Sequence, residues 1–191
     1  MPSFFKELAD IEAKGIKDAR DRIYVSDRCH INFDLHAAVD GLEEVELGAN
    51  AVGTTKRGIG PCYSSKAARS GIRLAEMFNE GLFERKLRQL AAGYKKRYGD
   101  LLQYDVEEEI ARFKQYRLAL ADHIVDAVVF MNDAQERQAN ILVEGSQALM
   151  LDIDYGTYPY VTSSNTCLGG LVSGLGLKRR NIKEVIGVVK A

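Results

Sequence analysis

Apolar residues recur at helical spacing near the start of the chain, at Phe4, Phe5, Leu8 and Ile11, between a Pro2-Ser3 start and Gly15. This predicts a surface helix with one buried face. Residues 22–25, RIYV, break that period and predict a short strand that delivers Ser26 to His30 to its carboxyl end, the side on which open α/β sheets bind ligands. Leu35, Ala38, Val39, Leu42 and Val45 return to helical spacing. Leu82, Leu87, Leu90 and Tyr94, and then Val106, Ile110, Phe113, Leu120, Ile124, Val128 and Met131, predict two long helices over residues 76–140, broken near 98–103. Residues 141–144 and 184–189 are apolar runs of the buried-strand type, and Gly169, Gly170, Gly174 and Gly176 favour close packing of a short helix between them. Strands separated by helices predict an α/β fold, a mostly parallel sheet flanked by helices, as one domain over residues 1–191.

Charge alters this picture at one place. Residues 52–73 read VGTTKRGIGPCYSSKAARSGIR, and from Gly48 to Ala75 there is no Asp or Glu, while Lys56, Arg57, Lys66, Arg69 and Arg73 supply five positive charges. Gly53, Gly58 and Gly60 open backbone conformations that arrange amides around an anion, and the hydroxyls of Thr54 and Thr55 can donate to phosphate oxygens. Pro61 suits the first turn of a helix, so residues 63–75 are predicted helical, with Lys66, Arg69 and Arg73 on one face. Taken singly, a Gly-rich segment reads as a turn and spaced cations read as a solvated face. Their coincidence without an acidic residue favours anion binding. The chain as a whole carries a net charge of -1, which argues against a nucleic-acid or membrane binder and leaves the basic stretch as a small-anion site.

At these residues the sequence also resembles a known family. GTTKRGIGPCYSSKAAR is similar to the signature of the adenylosuccinate synthetases: GTT, a basic or Gly pair, GIGP, an aromatic, two variable positions, Lys, two more and Arg. The resemblance implies that Thr55 and Arg69 contact the 5'-phosphate of inosine monophosphate (IMP), Arg69 reaching across from the partner of a homodimer. It implies that Lys66 is an active-site, catalytic position. It also implies a P-loop-NTPase-like fold, of which this chain carries an incomplete part. SDRCHINFD is similar to the family's SDRAHLVFD segment, so His30 and His36, suited by chemistry to proton exchange, are read as structural. Asp27 and Arg28 read as a structural pair or turn, and His123 as structural.

A second block carries the resemblance further. After residues 141–144, Gly145 places Ser146 and Gln147 at a strand exit, where a neutral amide can both donate to a carbonyl and accept from a ring N–H. Alone, such a Gln is an incidental surface residue. EGSQALMLDIDYGTYPYVTSSNT, however, resembles the family's EGAQG or EGANA segment followed by LLDIDxGTYPxVTSSN. That match implies that Gln147 touches the base region of the nucleotide and that Thr162 helps hold its phosphate. Asp152 and Asp154 suggest metal or acid–base work by their pairing, but are read as holding backbone amides.

The family's reaction joins IMP and L-aspartate at the expense of GTP, with Mg2+ offsetting charge, in AMP biosynthesis. This chain has no GDEGKGK-like loop, no G-x-x-x-x-G-K-[ST] and no G-x-G-x-x-G, so the main ligands for GTP and Mg2+ are expected outside it, no metal ligands are expected within it, and the chain alone is expected to be inactive. It reads as the central part of a family protein. Cys29, Cys62 and Cys167 are odd in number and dispersed, which fits reduced thiols and a cytoplasmic location, and no signal, transit or membrane-spanning segment stands out. Two other readings compete: a non-catalytic dimerisation or nucleotide-binding module derived from the enzyme, and an unrelated nucleic-acid binder using the basic loop.

Overall fold

Helix α2, Asp34–Leu47, anchors the first half of the protein because Leu35 and Val39 on its inner side are fully buried, between the aromatic residue that precedes it and the helices that follow. In the computed structural model, which describes residues 2–189, the chain divides into two compact units, Met1–Val125 and Asp126–Ala191. The first holds α1 (Pro2–Ala13), β1 (Val25–Ser26), α2, α3 (Ile59–Ala67), α4 (Glu80–Tyr98), α5 (Val106–Leu120) and β2 (Ile124–Val125). The second holds α6 (Ala127–Glu136) and α7 (Leu168–Leu175).

The core of the first unit is built around three aromatic rings from three segments. Phe33 lies 6.1 Å from Phe83 and 5.1 Å from Phe113, and Phe83 lies 5.4 Å from Phe113, so α2, α4 and α5 meet at one cluster. Strands β1 and β2 pair in parallel, Val25 opposite Ile124 and Ser26 opposite Val125, and the intervening helices form the crossover. The result is an α/β arrangement with a small parallel sheet.

Several expected boundaries move, each for a local reason. Residues 20–22 form a 3-10 turn and the strand begins only at Val25. The long helix expected to run through residue 131 stops at Leu120. Ile124 and Val125 instead pair with β1, and Asp126 starts α6 by accepting from the amides of Val128 and Val129 at 2.9 and 3.1 Å. Residues 141–144 and 184–189 form no strand and have no ladder partner among the described residues, and Leu142 and Val188 are 91% and 93% exposed. Strand formation needs a hydrogen-bonded neighbour, which no apolar pattern can supply by itself. Lys190 and Ala191, the end of the second expected strand, lie outside the described residues.

His36 shows how a residue suited to proton transfer becomes part of the framework. It is 1% exposed, and its Nδ1 accepts from the Phe33 amide at 3.0 Å at the start of α2. Nε2 therefore carries the proton and donates to Ser65 Oγ, 3.3 Å away, and Ser65 donates in turn to Pro61 O at 2.9 Å. This chain joins α2 to α3. Burial, with a smaller contribution from the charge of His30, lowers the His36 pKa to about 4.

Because that folded value lies below the unfolded one, the stabilisation is complete above about pH 6.5 and is lost as pH falls toward about 4. Urea unfolding should show a loss of about 3 kcal/mol across this window. In His36→Gln the slope should be markedly flatter; an unchanged slope would assign it to other groups.

Candidate functional site

The basic stretch folds as a loop, a short helix and a return segment. Residues 51–57 arch over the end of α2, and Gly58 then presses onto that helix. A Cβ at Gly58 would come within 2.6 Å of the Ala37 nitrogen, and its φ of +80° is the left-handed conformation that glycine tolerates. Asp40 accepts from the Gly58 amide and the Thr54 hydroxyl, both at 2.8 Å, and Glu44 accepts from the amides of Val52, Gly53 and Thr54 at 3.2, 2.9 and 3.3 Å. Part of the expected anion cradle is thus taken by the protein's own carboxylates. Thr55 remains exposed, with neither its amide nor its hydroxyl on an acceptor among the described residues.

Helix α3 ends sooner than the charge pattern predicts. Ala68 caps it, Arg69 adopts φ +62°, its amide donates to Lys66 O at 3.1 Å, and the amide of Ser70 returns to Ser65 O at 3.0 Å. This pair of bonds is a Schellman closure in which Arg69 occupies the left-handed position that normally goes to glycine. Gly71 follows, packed so closely on His30 that a Cβ would lie 2.8 Å from Nδ1. Lys66, Arg69 and Arg73 therefore do not share a helical face. Lys66 sits in the last turn with its Nζ 5.5 Å above the Tyr63 ring, Arg69 is at the closure, and Arg73 is in extended backbone bridged to His30.

The basic stretch differs from helices α4 and α5 in how its cations are paired. Arg88, Arg97, Arg112, Lys114 and Arg117 all pair with carboxylates. Among the described residues, none of Lys56, Arg57, Lys66, Arg69 and Arg73 does. Their field is felt by His30, whose pKa is lowered first by burial and then by the charges of Lys66 and Arg73. Arg69 also lines a cleft of about 520 Å³ with Ser70, Gln89, Tyr94 and Arg97.

In the second unit, Gln147 and Thr162 flank a loop knot tied by Asp152. This carboxylate is 0% exposed and accepts from four amides: Asp154 and Tyr155 at 2.9 and 3.0 Å through one oxygen, and Thr166 and Cys167 at 2.6 and 3.2 Å through the other. Burial would raise its pKa, but the four donors outweigh it and lower the value to about 2. Asp154 accepts from Asn165 Nδ2 at 2.6 Å. The Thr162 amide donates to Leu151 O at 2.9 Å, and Thr166 Oγ donates to Ala148 O at 3.1 Å, one residue beyond the exposed Gln147. Both acids serve the loop, and no group of three or more potential metal-ligating His, Cys, Asp or Glu side chains forms among the described residues. The carboxylates present do not fit a Mg2+ site.

The loop-holding acids Asp40 and Glu44 were missed by sequence reasoning. Their signal was available as two acids one helical turn apart, directly before an acid-free glycine loop.

The adenylosuccinate synthetase family pattern matches residues 1–191. The chain is 68% identical over 191 residues to an adenylosuccinate synthetase of Pyricularia oryzae and 69% identical to one of Neurospora crassa, covering 100% of this chain in each case and 45% and 44% of those proteins. A solved structure, fully ligated adenylosuccinate synthetase from Plasmodium falciparum, is similar at a TM-score of 0.84 and 42% identity, over 93% of this chain and 42% of that one. The chain thus spans about 45% of the length of the curated relatives it matches. With the family pattern matching the full length of the chain and relatives 68% and 69% identical across it, the chain belongs to the adenylosuccinate synthetase family.

Proposed function

We propose that this chain supplies the IMP-binding portion of an adenylosuccinate synthetase, a ligase that forms a C–N bond between IMP and L-aspartate with consumption of GTP in AMP biosynthesis. The observation that carries this reading is the set of five cations without carboxylate partners, grouped around an exposed Thr55 and a strained Arg69. The helix cations Arg88, Arg97, Arg112, Lys114 and Arg117 are paired internally, whereas among the described residues these five, in a stretch without an acidic residue, are not. These are held for an external anion.

In this reading Thr55 donates its hydroxyl and amide to the 5'-phosphate, and Thr162 adds a second hydroxyl donor. Gln147 meets the base edge, where its amide can pair with a carbonyl oxygen and a ring N–H together. Lys66 is the catalytic candidate, its ammonium available to offset charge on the reacting nucleotide. Arg69 lies past the far end of α3 from Thr55, with about 13 Å of helix between them. That separation supports Arg69 serving the phosphate of the second subunit in a homodimer. GTP and Mg2+ would be held chiefly by polypeptide other than these residues, because the chain has no Gly-rich phosphate loop with a Lys and its buried acids are engaged by N–H donors. Residues 1–191 form one part of a larger synthetase domain acting in the cytoplasm. The competing reading, a binding module without catalysis, shares the phosphate site and differs in turnover.

Placed in the matching part of the Neurospora crassa relative, Arg69→Ala should weaken IMP binding by about 1.5–3 kcal/mol, the scale of a hydrogen bond to a charged group, as read by calorimetry. Arg69→Gly should lose the same affinity while stabilising the helix end by up to about 1 kcal/mol; full affinity in either variant removes Arg69 from the site. Mixing Arg69→Ala subunits with Thr55→Ala subunits should restore activity that neither has alone, since hybrid dimers regain one intact site. An absence of rescue would place Arg69 in its own subunit's site. The purified 191-residue chain should bind IMP without forming adenylosuccinate, and product formation by it would refute the assignment of GTP ligands elsewhere.

A further inference from the structure

Asp40 and Glu44 lie one turn apart on α2 and direct their carboxylates into the loop that follows. Between them they accept five donors from residues 52–58: the amides of Val52, Gly53, Thr54 and Gly58, and the hydroxyl of Thr54. Asp40 is 5% exposed and both of its oxygens are used. Gly58 is packed so closely on α2 that an added Cβ would come within 2.6 Å of the His36 and Ala37 backbone. Within residues 52–58, Thr55 is left as the threonine with a free hydroxyl.

This arrangement has an electrostatic cost. Two like charges at i and i+4 repel each other, and both repel a phosphate brought to the loop. A gain must offset it, and the geometry supplies one: a loop whose inward donors are all satisfied has one shape, and the ligand does not have to order it.

We propose that Asp40 and Glu44 are positioning residues for phosphate recognition, fixing the loop so that Thr55 is presented to the ligand. The inference rests on the reading of Thr55 as a phosphate contact. Asp40 sets the Thr54–Gly58 span and Glu44 sets the entry at residues 52–54, so the two acids act through Thr55 and touch no ligand themselves.

The test uses the 191-residue chain, with IMP and inosine titrated separately and followed at the loop amides by NMR. Glu44→Ala should weaken IMP binding about tenfold, leave inosine binding unchanged and shift the thermal midpoint little. Glu44→Gln, which keeps an acceptor oxygen, should recover part of the loss and guards against a folding defect. In a Thr55→Ala background, Glu44→Ala should have no further effect, the coupling expected when one residue acts through the other. Unchanged IMP affinity, or an equal further loss in the Thr55→Ala background, would overturn the proposal. Tighter IMP binding in Glu44→Ala would overturn it too, and would make the carboxylate a competitor for the amides. If the unmodified chain bound IMP no better than inosine up to about 10 mM, the phosphate-site reading itself would fall, and this inference with it.

Discussion

Backbone N–H groups outside helices and ladders must find acceptors, and in this protein carboxylates provide them. Asp40 and Glu44 hold the basic loop, and Asp152 holds residues 154–167. Glu109, 2% exposed on α5, accepts from the Asp34 amide at 3.0 Å at the start of α2 and from the Tyr104 hydroxyl. With so little ladder among the described residues, these acceptors fix the irregular segments that an extended sheet would otherwise organise. The candidate site consists of such segments. Its geometry therefore depends on acids turned inward onto the backbone.

The same division of labour explains the distribution of charge. The acids turn inward onto amides or outward onto helix cations, as in the contacts of Glu107 with Arg88 and of Glu43 and Glu46 with Arg97. Exposed pairs of this kind add little stability, but they remove positive field from those faces. Residues 56–73 carry five cations and no acid, so a chain with almost no net charge keeps a local cluster of positive charge, the feature on which the proposed anion site rests.

How much of this was legible depended on whether the determinant was local. Helices α1, α2 and α4 could be read because their apolar stripes are intrinsic to each segment, and glycine, hydroxyl and cation spacing marked the basic stretch, within which the family resemblance singled out Thr55, Lys66 and Arg69. Strand β2 could not, since Ile124 and Val125 continue the stripe of α5 and only the distant β1 makes them a strand. Residues 141–144 show the converse: the composition of a buried strand, and no partner to pair with. The shared face expected for Lys66, Arg69 and Arg73 failed because charge spacing says nothing of helix termination, which Gly71 and the left-handed Arg69 decide. The two acids under the loop went unread because their role appears only when residues 52–58 fold back over α2.

Arg69 makes the strongest case that the basic stretch is shaped by binding. At the left-handed position of a Schellman closure, glycine avoids the clash between Cβ and carbonyl that costs other residues about 1–2 kcal/mol. Gly176 takes a left-handed conformation at the end of α7, while Gln138 closes α6 with the same pair of bonds as Arg69, so arginine here is one of two non-glycine closures. Placing arginine at the end of α3 accepts the strain and, with it, a guanidinium without a carboxylate partner at the edge of a cleft. Neither feature helps the fold. A backbone in this conformation that carries a charge without a carboxylate partner agrees with the proposed role, in which the planar guanidinium meets a phosphate from outside the fold.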